Sequence, residues 1–244
     1  MSDDRSDAAR AAADRRQRAL GVESGAARAA VLGINDGLVT NTSLILGIVG
    51  AASAESVIQL AGFASLVAGA CSMAVGEYVS MRGQEELLTR LLDDERKAMQ
   101  EAPGREREII RATLEQHGFD SATAEAGTKE LARSPEKAIG VYARAVLGVN
   151  PDELGSPWAA AFSSFVAFAA GALVPLLPWL FAGRSAALAA SLVLSGVAAL
   201  AIGGTLGYLS NRHVAWSALR QLFVVALASA ATYGVGKVFG VLAP

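Results

Sequence analysis

Five apolar runs, at about 29–52, 57–81, 158–182, 186–210 and 214–241, divide the chain. Each is long enough to cross a bilayer, since about 20 helical residues at 1.5 Å rise span the roughly 30 Å hydrocarbon core. The linkers around Ser53–Ser56 and Ala182–Ser185 are short, so the first two helices, and the third and fourth, are expected to be antiparallel neighbours. Pro175 and Pro178 are expected to kink the third helix, because neither can donate a backbone hydrogen bond. Small residues crowd Gly62–Ala70 and Gly196–Gly207, a pattern that lets helix backbones approach closely in lipid.

Between the second and third runs the pattern changes to a polar segment of helical period. Leu87, Leu88, Leu91 and Leu92 continue the second helix toward Glu101, and Pro103-Gly104 interrupts it. A helix over Glu106–His117 is closed by Gly118, and two shorter helices are expected at 121–132 and 135–147. Asn150-Pro151-Asp152 and Gly155-Ser156-Pro157 then turn the chain back. The expected fold is an all-α membrane protein with five transmembrane helices and a cytoplasmic helical insert between the second and third. The divisions are a cytoplasmic N-terminal arm (1–28), transmembrane helices 1–2 (29–81), the insert (82–156) and transmembrane helices 3–5 (157–244).

Composition supports this division. The chain is 52% apolar and only 18% charged, and 15 of its 23 acidic and 11 of its 21 basic residues fall within 82–156. A soluble enzyme, a disordered chain and a nucleic-acid binder are excluded by that partitioning. With the amino terminus cytoplasmic, 19 of the 21 Lys and Arg lie on the cytoplasmic side, leaving Arg184 and Lys237 outside. Five spans then put the carboxyl terminus outside. The lone Cys71 allows no disulfide framework and reads as a small packing residue. No GxxxxGK[ST] loop and no Ser-His-Asp set appears, so neither direct ATP drive nor enzyme activity is expected and no catalytic cofactor is implied.

A charge at membrane depth costs about 2.5 kcal/mol or more, so each one needs a reason. Asp36 follows Asn35 in the first span, and Glu77 lies four residues after Met73 in the second, on the same helix face. Carboxylate and amide oxygens are hard ligands, whereas a thioether is soft and unsuited to magnesium or calcium. The mixture points to a transition-metal cation such as Fe²⁺ or Mn²⁺. The residue types alone also allow a helix cap for Asp36, packing for Met73 and an interfacial hydrogen bond for Glu77.

Asp-Gly-Leu-Val-Thr within Ala30–Thr42, the Ala61–Ser80 stretch containing Cys-Ser-Met-Ala-Val-Gly-Glu-Tyr, Gly155–Trp158 and Gly171–Leu176 together resemble the vacuolar iron transporter family. That resemblance implies homodimers of five-helix subunits in a lipid bilayer, exporting Fe²⁺ or Mn²⁺ from the cytoplasm in exchange for protons. It also implies an ion path between subunits lined by Asp36 and Met73, with Glu77 beside them. The family's insert carries a glutamate-rich metal site. Spacing carried from the membrane motifs puts its ligands on Glu95 and Glu106, but also on Ala98 and Ile109, which cannot serve. Val141–Val146 likewise lacks the later family ligands. Glu101, Glu108 and Glu115 are substitutes by position, although Arg105, Arg107 and Arg111 among them equally suit surface ion pairs. His117 and His213 read as a helix-end residue and an interfacial residue.

The rival reading is a membrane-anchored metal buffer or sensor that binds through the insert without transport, and a third is a transporter of altered cargo. A compact chain with a short arginine-bearing arm suits a bacterial inner membrane; the resemblance equally allows an organelle.

Overall fold

The computed structural model describes residues 25–101, 103–145, 150 and 155–242. Most of the N-terminal arm lies outside them. Among the described residues all regular structure is helical: α1 (Gly25–Gly50), α2 (Glu55–Glu101), α3 (Pro103–Gln116), α4 (Ser121–Leu131), α5 (Pro135–Ala145), α6 (Pro157–Leu176) with a 3-10 extension over Leu177–Leu180, α7 (Arg184–Leu209) and α8 (Val214–Leu242). Five of these, α1, α2, α6 with its extension, α7 and α8, are long and apolar enough to cross a membrane. The chain divides into two compact units, Met1–Val79 with Ser156–Pro244, and Ser80–Gly155.

In the first unit α1 lies against α6, α7 and α8. Its contacts with α6 and α8 are backbone to backbone, and glycine makes them possible. A Cβ on Gly37 would run into the Phe168 carbonyl, and one on Gly171 into the Ile34 carbonyl. Gly236 of α8 meets the Gly47 carbonyl in the same way. Such close approach suits helices in lipid, where packing rather than a hydrophobic drive holds them together.

Three consecutive residues of α1 then address three helices. Asn41 Nδ2 donates to the Ala172 carbonyl of α6 at 2.6 Å, Thr42 Oγ1 to Ser195 Oγ of α7 at 3.1 Å, and the Ser43 carbonyl accepts from Thr232 Oγ1 of α8 at 2.8 Å. Successive helical residues point about 100° apart, so only a helix enclosed on three sides can place such a triplet entirely inside. Asn41 and Thr42 are buried, as Leu38 and Ile45 are above and below them.

Ser156 caps α6 by accepting from the Ala159 N–H, with Pro157 in the first turn. Pro175 stays inside α6, and Pro178 is the second residue of the 3-10 turn, so the proline pair is accommodated by a tightening from α to 3-10 geometry. Ile45, Ile58, Leu176, Trp179 and Ala187 form the apolar cluster at that end of the unit. Arg184 closes the same end: its backbone N–H donates to Glu55 Oε1 at 2.8 Å, and its guanidinium to the Ser53 carbonyl.

In the second unit Leu88 and Leu92 pack with Ile139 and Ala143, while Leu87 and Leu91 remain exposed. The helix expected from Glu106 starts at Pro103, a residue suited to a first turn where the missing N–H has no partner to lose. Gly118, at φ +92°, ends the segment, and Asp120 caps α4 by accepting from the Ala122 and Thr123 N–H groups.

Candidate functional site

The inward face of α1 leaves an opposite strip that repeats every fourth residue: Arg28, Leu32, Asp36 and Thr40, all exposed. Because α1 starts at Gly25, Asp36 stands near the midpoint of a 26-residue helix. Its recorded partner among the described residues is Thr40, whose Oγ1 donates to Asp36 Oδ1 at 3.3 Å. One carboxylate oxygen is thereby oriented along the strip, leaving the other open. Asn35 is engaged elsewhere: its Oδ1 accepts from Gln221 Nε2 of α8, so the oxygen expected beside Asp36 is turned toward the bundle.

On α2, Met73 is half-buried and packs against the cluster of Ala70, Phe168 and Ala172. Glu77, one turn further, is 9% exposed. Among the described residues its Oε2 accepts no hydrogen bond, and it lies 3.8 Å from Arg28 Nη2 of α1. The ring of the adjacent Tyr78 meets that of Trp158 at a tilt of 50°, with centroids 4.7 Å apart, while the space around Gly76 is open. Met73 and Glu77 therefore share a face as the spacing requires, and α1 supplies a cation to the second of them. No recorded hydrogen bond or ion pair links Asp36 to either residue among the described residues.

Sequence reasoning missed Arg28 and Gln221. The signal for Arg28 was present: it stands 22 residues before Gly50, and Glu77 stands 22 residues after Glu55, so an antiparallel pair brings them level. Gln221 was a lone amide in an apolar run, and its partner follows only from knowing that α8 lies against α1.

The insert carboxylates are more dispersed. Glu95 is half-buried on α2, Glu101 exposed at its end, and Glu106 lies on α3 with its side chain outside the described residues. Glu108 accepts from Arg111 at 2.5 Å, and Glu115 lies 3.7 Å from the same guanidinium and accepts from Ser121 Oγ at 2.8 Å. The hydrogen bond that Arg111 donates to Glu108, reinforced by the charges of Glu108 and Glu115, raises the pKa of the Arg111 guanidinium above its ordinary range. Among the described residues no group of three or more His, Cys, Asp or Glu is placed to hold a metal ion. The geometry of Glu108 and Glu115 is that of an ion-paired helix surface.

A model of the VIT family matches residues 27–237, from the first turn of α1 to the last turns of α8. "Vacuolar iron transporter homolog 1" of Oryza sativa subsp. japonica is 36% identical over 219 residues, covering 87% of this chain and 73% of that protein. A vacuolar iron transporter of Acanthamoeba castellanii is 33% identical over 86% of this chain and 77% of its own length. Vacuolar iron transporter 1 of Eucalyptus grandis is 28% identical, with 85% and 84% covered.

Proposed function

The chain belongs to the VIT family, and from that premise we propose that it exports Fe²⁺ and/or Mn²⁺ from the cytoplasm through Asp36, Met73 and Glu77, in exchange for protons. At the coarser level it is a multi-pass membrane transporter of metal ions that serves iron homeostasis, and not an enzyme.

The observation that carries the finer reading is the position of Asp36. Its carboxylate stands exposed near the middle of a membrane-spanning helix, a placement that costs about 2.5 kcal/mol or more in lipid. Water, a cation or a second subunit must cover it. A homodimer with an ion path along the α1 strip meets that requirement, with Asp36 offering oxygen and Met73 sulfur to an ion of intermediate softness. Glu77 supplies a second carboxylate, and Glu95 with Glu106 are the insert residues assigned to collecting the ion in the cytoplasm. Carboxylates that release a divalent cation can take up protons, which links cation export to inward proton movement. The amino terminus is assigned to the cytoplasm and the carboxyl terminus to the far side. The membrane is a bacterial inner membrane on this reading; the names of the relatives point to the vacuole for theirs.

Metal flux into proteoliposomes of purified protein, comparing Fe²⁺, Mn²⁺, Zn²⁺ and Ca²⁺, tests the proposal. Flux of Fe²⁺ or Mn²⁺ should fall to background in Asp36→Ala, and an imposed pH gradient should change its rate. Absence of flux, with saturable metal binding that survives Asp36→Ala, would instead establish a membrane-anchored buffer.

A further inference from the structure

We propose that Arg28 is a positioning residue that latches Glu77 in the metal-free state and must be displaced before a divalent cation can occupy that carboxylate. The inference rests on the reading of Glu77 as part of the ion path.

Three features of the pair carry it. The Glu77 side chain is nine-tenths buried, and its Oε2 accepts no hydrogen bond, an arrangement expensive for a carboxylate unless a cation is near. Arg28 supplies that cation at 3.8 Å, close enough for Coulomb attraction and too far for a hydrogen bond. The Arg28 side chain is 63% exposed, so the guanidinium has room to withdraw, whereas the Glu77 side chain is 10% exposed and its Oε2 is buried. The partners are therefore unequally held.

The root of Arg28 is fixed while its head is free. Ser163 Oγ donates to the Ala26 carbonyl at 2.8 Å, tying the first turn of α1 to α6. Arg28 also belongs to the strip that carries Asp36, two turns or about 12 Å further along the helix. A guanidinium keeps its charge at every physiological pH, so the latch is opened by competition rather than by loss of a proton. A divalent cation brings twice the charge to the buried oxygen and can displace a partner that makes no hydrogen bond. When the ion moves on, Arg28 returns and neutralises Glu77, which keeps the ion from being held there.

Two readouts on the full chain test the latch. Mn²⁺ binding in detergent, followed by the loss of the free-ion paramagnetic resonance signal, should be about fivefold to tenfold tighter in Arg28→Ala than in the unaltered protein. Arg28→Lys should remain within twofold of it. In the Glu77→Gln background, Arg28→Ala should have no further effect, because the competition has lost its object. In proteoliposomes Arg28→Ala should lower KM and kcat together, as expected when capture is eased and release slowed. Unchanged or weaker Mn²⁺ binding in Arg28→Ala, or the same shift with and without Glu77, overturns the latch. Absent flux in the unaltered protein overturns transport instead, and the binding comparison still decides the latch.

Discussion

Met73 packs inside the bundle and is proposed to serve the ion path, and one substitution separates the two roles. Its side chain fills the space beside Ala70, Phe168 and Ala172, which a leucine of similar volume would also fill. Met73→Leu should therefore leave the thermal midpoint within a few degrees while removing the only sulfur assigned to the ion path. The expected result is a loss of at least fivefold in kcat/KM for Fe²⁺, about 1 kcal/mol, read as flux into proteoliposomes. Unchanged Fe²⁺ flux would mean that the sulfur does not touch the cargo. The neighbouring Asn35 shows why residue types alone could not define the site. An amide beside Asp36 reads as a second hard ligand, yet its oxygen is bonded to Gln221, a partner 186 positions away. Only the crossing of α8 over α1 distinguishes the two roles.

The helices themselves were more legible than their partners, because periodicity is local and pairing is not. The five apolar runs correspond to the five candidate spans, and the leucine spacing after residue 82 anticipates that α2 continues as one helix to Glu101. Which leucines turn inward was not legible, since Leu87/Leu91 and Leu88/Leu92 have the same spacing and α5 selects the second pair. Glycines make the same point quantitatively. Gly37 and Gly76 look alike in sequence, but a Cβ on Gly37 overlaps the Phe168 backbone and one on Gly76 meets nothing within 4 Å. Gly37→Ala should destabilise by about 1–3 kcal/mol through forced separation of α1 from α6. Within a single subunit, Gly76→Ala should be neutral or stabilising by up to about 1 kcal/mol, from the lower entropy cost of ordering alanine in a helix. Thermal unfolding in detergent should show the midpoint falling for the first and holding or rising for the second.

The cap of α4 makes its stability sensitive to acid. The Thr123 hydroxyl, followed by the Thr123 N–H, holds the Asp120 carboxyl below its ordinary value of 3.8. A carboxylate with a depressed folded-state pKa stabilises the fold fully above the unfolded value, and that contribution disappears as pH falls through the folded value. Asp120→Ala should thus lower the midpoint at pH 6, and the difference from the unaltered protein should shrink progressively below about pH 4. A gap that stays constant down to about pH 2 would show that the ionised carboxylate is not the source of the stabilisation.

At the scale of the whole molecule, the outer faces of α2 and α8 are both exposed, and both mix bulky with small residues. α8 presents Trp216, Phe223 and Phe239 with Ala226, Ala230 and Gly234. α2 presents Leu60, Phe63, Val67 and Val75 with Ala64, Ala68, Cys71, Ser72 and Gly76, and it is the helix that carries Met73 and Glu77. Small residues at regular helical intervals suit approach by another helix, since in lipid such contacts depend on close packing rather than on apolar bulk. The sequence reading of Cys71 as a packing residue is not met inside the chain, where the thiol is exposed. It would be met at a seam between two copies. A seam along α2 would also cover the open face beside Met73, as the proposed dimeric ion path requires. Mild oxidation of the protein in membranes should then yield a disulfide-linked dimer through Cys71, absent in Cys71→Ser and reversed by reductant. Gly234→Cys on α8, in a Cys71→Ser background, should remain monomeric under the same treatment. Cross-linking through position 234 with none through Cys71 would move the seam to α8 and leave the α2 face to lipid, removing the dimer interface as the cover for Asp36.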